Sequence, residues 1–108
     1  MICEEKLMCV FCDIEESQKI LENDHFFVIR DIHPVSRGHC LVISKRHVPS
    51  YFELDAQELP SLHSIIVQTK AYLDGKYQAS GYNLAINHGR SAGQTVFHFH
   101  LHLIPRYA

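Results

Sequence analysis

The chain has 108 residues, 46% of them hydrophobic and 20% charged. That is one domain's worth of folding sequence, and it excludes two independent enzymatic domains, a disordered tail and a membrane protein. Lys and Arg number 10 against 12 for Asp and Glu, a net charge of −2 with His neutral, so no broad cationic field exists to hold a nucleic-acid polymer. Histidine departs from the average: there are nine, three of them within five residues near the C-terminal end.

From the N-terminus, the first 20 residues mix acidic side chains with short apolar runs and lack the pattern of a secretory leader. No window approaches the roughly 18 consecutive apolar residues of a spanning helix, so a cytoplasmic location without a membrane partner is expected. There, Cys9 and Cys12 read as a metal or redox pair before they read as a disulfide. Cys3 is expected in a loose terminus and Cys40 as a small core residue. Gln18 to Leu21, the turn Asn23-Asp24 and His25 to Arg30 predict a hairpin, because Asn and Asp tolerate left-handed turn conformations. A loop through Asp31, Pro34 and Gly38 leads to a third strand, His39 to Ser44, closed off by Pro49. Leucine and isoleucine at 59, 62, 65 and 66, extended by Val67 and Leu73, predict a helix from Asp55 to about Gly75, with Pro60 tolerated in its first turn. Tyr82 to Asn87 and Val96 to Ile104, separated by a turn at Gly89 and Gly93, complete five strands, so the fold class is α+β.

The last strand alternates strictly through His98, Phe99, His100, Leu101, His102 and Leu103. In a strand the imidazoles share one face and the apolar residues enter the core. Neighbouring histidines would be about 6.6 Å apart and the outer pair about 13 Å, too far for all three to meet one tetrahedral ion at about 2.0 Å. At least one therefore has another role, and nucleophilic catalysis is available: an imidazole with Nδ1–H on a carbonyl presents an Nε2 lone pair that can attack phosphorus. Upstream, Asn87, Gly89, Gly93, Gln94 and Thr95 combine close backbone approach with neutral donors suited to phosphate oxygens.

His98-Phe-His-Leu-His102-Leu-Ile resembles the signature of the histidine-triad (HIT) family, in which three histidines alternate with apolar residues. Asn87, Gly89, Gly93-Gln94-Thr95, Arg30-Asp31-Ile32 with Pro34, and Ser44-Lys-Arg-His47-Val are also similar to the family pattern, and the resemblance covers about Cys9 to Tyr107. The pattern is that of a bacterial or archaeal Hint-like HIT hydrolase. It implies a single HIT domain over residues 1–108, with a five-stranded antiparallel sheet and one long and one short helix. It further implies a nucleotide hydrolase or transferase that cleaves at the α-phosphorus of a purine nucleotide derivative, such as a nucleoside phosphoramidate of AMP or GMP, through a nucleotidyl-histidine. By position the nucleophile is His100, His102 supports the phosphate and leaving group, and His98 holds the site together, partly by its backbone carbonyl. Gln94 and Thr95, after Gly93, would contact the phosphate or leaving group. Asp31 would take the ribose hydroxyls with Asn87 nearby, and Phe11, Ile14, Ile29 and Ile32 would wall the base slot, although ordinary core packing is an equal reading of those four. Relatives imply a homodimer across the long helix and neighbouring strand.

In a zinc-bearing subset of the family a Cys pair is completed by the His of the Lys-Arg-His block and the first triad His, here Cys9, Cys12, His47 and His98. Such a closed Cys2His2 site is structural, so structural Zn2+ is expected and no catalytic metal. His98 could then face zinc while His100 and His102 face substrate. The other histidines (His25, His33, His39, His63 and His88) read as surface or locally bonded, with His33 and His88 near the pocket mouth. Three alternatives stay open: a dinucleoside polyphosphate hydrolase of the same family, a non-catalytic nucleotide-binding adapter, and a metalloenzyme with zinc on the triad itself.

Overall fold

The β-branched and aromatic runs form five strands, β1 (Leu21–Glu22), β2 (Phe26–Arg30), β3 (Cys40–Ser44), β4 (Gly81–Ala85) and β5 (His100–Arg106), in a computed structural model that describes residues 9–108. Cys3 lies outside these residues. The strand order is β1-β2-β3-β5-β4, and every neighbouring pair is antiparallel. The sheet carries two separate apolar sets because side chains alternate across it. Val28 pairs with Val42 and Val42 with Leu101. Together with Phe26, Cys40, Phe99 and Leu103 they pack under Leu62, Ile65 and Leu73 of the helix α1 (Glu58–Lys76). One residue out of phase, Phe27, Ile29, Leu41 and Ile43 form a second cluster against which Phe11 and Ile14 pack. Ile43 pairs with His100 and Leu41 with His102, so these two histidines stand on the second face.

Helix α1 starts three residues later than the periodicity suggests, for a local reason. The Glu58 carboxylate accepts from the Asp55 N–H at 2.8 Å and from Arg46 Nη2 at 2.8 Å, satisfying a donor that the helix start leaves open. Pro60 falls in the first turn as expected, and Tyr77, extended at φ −131°, ends the helix with its N–H on the Leu73 carbonyl. No helix of the described residues is long and apolar enough to cross a membrane.

Two expectations are corrected. The first strand shrinks to two residues, since Glu16–Gln18 forms a 3-10 turn, and the Asn23 side chain, accepting from the N–H groups of His25 and Phe26, closes the hairpin without left-handed geometry. Among the described residues only glycines have positive φ. The long helix among the described residues is α1, and the shorter helical segments are single 3-10 turns at Glu16–Gln18, Tyr51–Glu53 and Arg90–Ala92; Gly93, at φ +93°, stops the last of these. The final strand begins at His100 and not Val96: Gln94 Nε2 donates to the carbonyls of Pro49 and Val96, bending the chain before it joins the ladder.

Phe99 closes the helix-side core. It is 1% exposed and meets Phe26 edge to face at 6.1 Å. Phe99→Ala should therefore cost about 3–5 kcal/mol, read as a lowered urea midpoint with an unchanged slope.

Candidate functional site

The bend before β5 removes His98 from the strand and makes it a bridge. His98 is 1% exposed, and its Nε2 lies 2.6 Å from the Ser44 carbonyl. A carbonyl accepts only, so Nε2 carries the proton and Nδ1 presents a lone pair. That lone pair is 3.3 Å from Cys9 Sγ, 3.6 Å from Cys12 Sγ and 3.1 Å from His47 Nδ1, with Cys12 Sγ 3.0 Å from His47 Nδ1. The four atoms lie within 4.8 Å of one another. The edges of a tetrahedral zinc site with bonds of about 2.0–2.3 Å are roughly 3.3–3.8 Å, so the donor set fits a closed structural ion. The bond to Ser44 is of the kind that would fix the imidazole for ligation. Phe11 sits edge-on to both His98 and His100, with ring centroids 5.9 and 5.0 Å away.

His98 also reaches the next histidine through its backbone. His100 Nδ1 donates to the His98 carbonyl at 2.9 Å, which leaves an unprotonated lone pair on His100 Nε2. Burial lowers the His100 pKa, the bond to the His98 carbonyl acts the other way, and His102 lowers it further. The lowered value favours the neutral ring.

His39, expected to be a bland histidine, completes the arrangement. It is 4% exposed, and its Nδ1 accepts from the Val35 N–H at 3.2 Å. Its proton is therefore on Nε2, which donates to His102 Nδ1 at 3.0 Å. His102 in turn keeps its proton on Nε2, the end that can donate to a ligand. Asp31 Oδ2 lies 3.4 Å from His39 Nε2 and 3.9 Å from His102 Nδ1, and its Oδ1 accepts from the His33 N–H at 2.9 Å. Asp31, His39 and His102 are close enough to suggest a second metal site, but the donors do not fit one. An ion on His39 Nε2 would drive the ring proton onto Nδ1, against the Val35 N–H. Only the register of β3 beside β5 reveals His39, since no sequence spacing links positions 39 and 102.

A cavity of about 530 Å³ opens over this face. Phe11, Ile14, Ile29 and Ile32 line it, with Asp31, Asn87, Gly93, Thr95, His100 and His102. All but one of the expected substrate-side residues converge there. Gln94 is the one that does not: it is 4% exposed, and its amide accepts from the Gly89 N–H and donates to Pro49 and Val96, so it braces the loop that presents Gly93 and Thr95. Ile32 is 80% exposed and forms the rim. His33 lines the cavity, whereas His88 meets Phe52 edge-on at 5.0 Å and is not among the residues lining the cavity.

Burial is the first cause of the lowered pKa values of His39, His98, His100 and His102, and it brings His98 to about 4. Each group binds its proton more weakly folded than unfolded, so the stability it contributes is complete above the unfolded value and is lost as pH falls. Urea titrations of metal-stripped protein should show the unfolding free energy falling between about pH 6.5 and 4, with a contribution on the order of 3 kcal/mol from His98.

Comparison with known proteins agrees with this geometry. The HIT domain model matches residues 12–108. A crystal structure of a HIT family protein from Bacillus anthracis superposes with a TM-score of 0.86 at 40% identity, covering 94% of this chain and 74% of that one. A Zn-bound histidine triad family protein from Mycobacterium smegmatis superposes with a TM-score of 0.79 at 37% identity, over 94% of this chain and 76% of its own. The adenylylsulfatase HINT3 of Arabidopsis thaliana is 34% identical over 102 residues, which span 91% of this chain and 52% of that protein. With the domain matched across nearly its whole length and the triad in place on β5, the chain belongs to the HIT family.

Proposed function

We propose that this protein is a nucleotide hydrolase or transferase that cleaves at the α-phosphorus of a purine nucleotide derivative, such as a nucleoside phosphoramidate, by way of a nucleotidyl-His100 intermediate. The observation that carries this reading is the fixed tautomer of His100: Nδ1–H sits on the His98 carbonyl at 2.9 Å and Nε2 is left to a cavity that His100 lines. The adenylylsulfatase activity in the name of the Arabidopsis relative is of the same reaction class.

In the first half-reaction the Nε2 lone pair forms a bond to phosphorus, and the bond to the leaving atom breaks with its electron pair. His102 Nε2–H, held outward by His39, hydrogen-bonds the charge that develops, and a solvent proton completes the leaving group. In the second half water attacks phosphorus, the P–Nε2 bond breaks and the spare proton returns to solvent. Thr95 and Asn87 offer neutral donors to the phosphate oxygens, and Asp31 offers a carboxylate to ribose hydroxyls. The apolar wall of Phe11, Ile14, Ile29 and Ile32 suits a purine face. Zinc on Cys9, Cys12, His47 and His98 would serve as a structural cross-link between the N-terminal segment and the start of β5. A homodimer across α1 and β4 belongs to the same reading, supported by Val67 and Leu84, 52% and 54% exposed beside the groove between those elements.

His100→Ala should abolish the nucleotide adduct trapped by rapid acid quench of a nucleoside phosphoramidate reaction, while AMP binding survives; undiminished turnover would overturn the mechanism. His39→Ala should lower kcat roughly 10–100-fold with little change in KM, the effect of a misdirected partner, and His39→Gln, which keeps an N–H for His102 Nδ1, should recover part of it. Removing bound metal with a chelator should lower Tm by at least about 4 °C, the shift that 1 kcal/mol produces in a domain of this size.

A further inference from the structure

Cys9 and Cys12 are placed for more than holding an ion. A tight turn, with the Cys12 N–H on the Cys9 carbonyl at 3.1 Å, folds both sulfurs onto His98 Nδ1 and to within 4.8 Å of each other. Cys12 is exposed and Cys9 is buried behind it. A sulfur that meets solvent first, with a sheltered one beside it, is the arrangement of an attacking and a resolving thiol. Cys40 offers no competition: it is 1% exposed, and burial pushes its thiol up to about 11, which keeps it protonated and inert.

We infer that Cys9 and Cys12 form a peroxide-oxidisable pair, and that closing it to a disulfide loosens His98 and with it the fixed tautomer of His100; the consequence for turnover rests on the function proposed above. A Cys12 thiolate attacks one oxygen of hydrogen peroxide. The S–O bond forms, the O–O bond breaks, and the departing hydroxide is protonated to water. A Cys9 thiolate then attacks the sulfenic sulfur, the S–S bond forms, the S–O bond breaks, and a second hydroxide leaves as water. Two thiolates, one peroxide and two protons thus give one disulfide and two waters, with the sulfurs oxidised and the peroxide reduced. Thiolate is the form that ligates a metal, so the oxidised pair withdraws two of the four ligands and gives up a bound ion. His98 then keeps its bond to Ser44 and loses the anchoring of Nδ1. The carbonyl that orients His100 belongs to that same residue, in the bend before β5.

The test treats the full-length, zinc-loaded protein with hydrogen peroxide and then with a dithiol. Expected are a Cys9–Cys12 disulfide in peptide mapping, one zinc ion released per disulfide to a chromophoric chelator, and a changed His100 ring nitrogen signal in NMR. Nucleotide-adduct formation should slow at least about tenfold, and the dithiol should reverse every change once zinc is resupplied. Cys12→Ser should abolish the response and Cys3→Ser should retain it; if Cys12→Ser does not fold, the dithiol reversal in the parent carries the test. Resistance to peroxide, a disulfide that recruits Cys3 or Cys40 instead, or a Cys9–Cys12 disulfide with unchanged His100 signals would overturn the inference. A reduced protein that forms no adduct, yet shows the disulfide and the His100 change, supports the thiol switch and counts against the proposed function.

Discussion

The site depends on His98 being held from three directions. Its Nε2–H is on the Ser44 carbonyl at the end of β3, its Nδ1 faces two thiols and a second imidazole, and its own carbonyl accepts the proton of His100. Each contact fixes a different degree of freedom. The first selects the tautomer, the second anchors the N-terminal segment, and the third decides which nitrogen of the neighbouring histidine carries the lone pair. A buried imidazole costs stability unless its polar atoms are matched, and here every match also orients something else.

The sheet separates this machinery from the mass of the core. Phe26, Val28, Val42, Phe99, Leu101 and Leu103 turn toward α1, while Phe27, Ile29, Leu41 and Ile43 support the cavity on the opposite face. A strand shift of a single residue would exchange the two sets, so the packing of α1 on one face fixes the position of His100 and His102 on the other. The second face is a thin apolar layer completed by Phe11 and Ile14, which the sequence places next to the Cys pair.

Beside the Asp31 carboxylate, the imidazoles of the cavity work as neutral groups. His39, His100 and His102 are all shifted toward the uncharged form, first by burial. The guanidinium of Arg30, a lining residue, turns to the Tyr72 hydroxyl at 2.9 Å. The ordered series Val35 N–H, His39, His102 therefore delivers an oriented N–H without placing a cation beside His100. Aligned neutral donors stabilise developing charge without the desolvation cost of a buried cation.

The sequence by itself determined the parts governed by local periodicity. Alternation from His100 to Leu103 marked a strand with apolar residues on the core side, the leucine and isoleucine spacing marked α1, and the Cys pair with His47 and His98 was legible because the resemblance to a family supplied its two distant members. Roles that depend on which strands lie side by side were decided only by the tertiary structure. His39 becomes the partner of His102 because β3 pairs with β5 across 63 residues of separation. Gln94 becomes a loop brace, and that brace delays the start of the last strand to His100. Side-chain alternation is a property of one segment and is written in its residues, whereas the direction of a hydrogen bond between two segments exists only after the backbone has brought their donors and acceptors together.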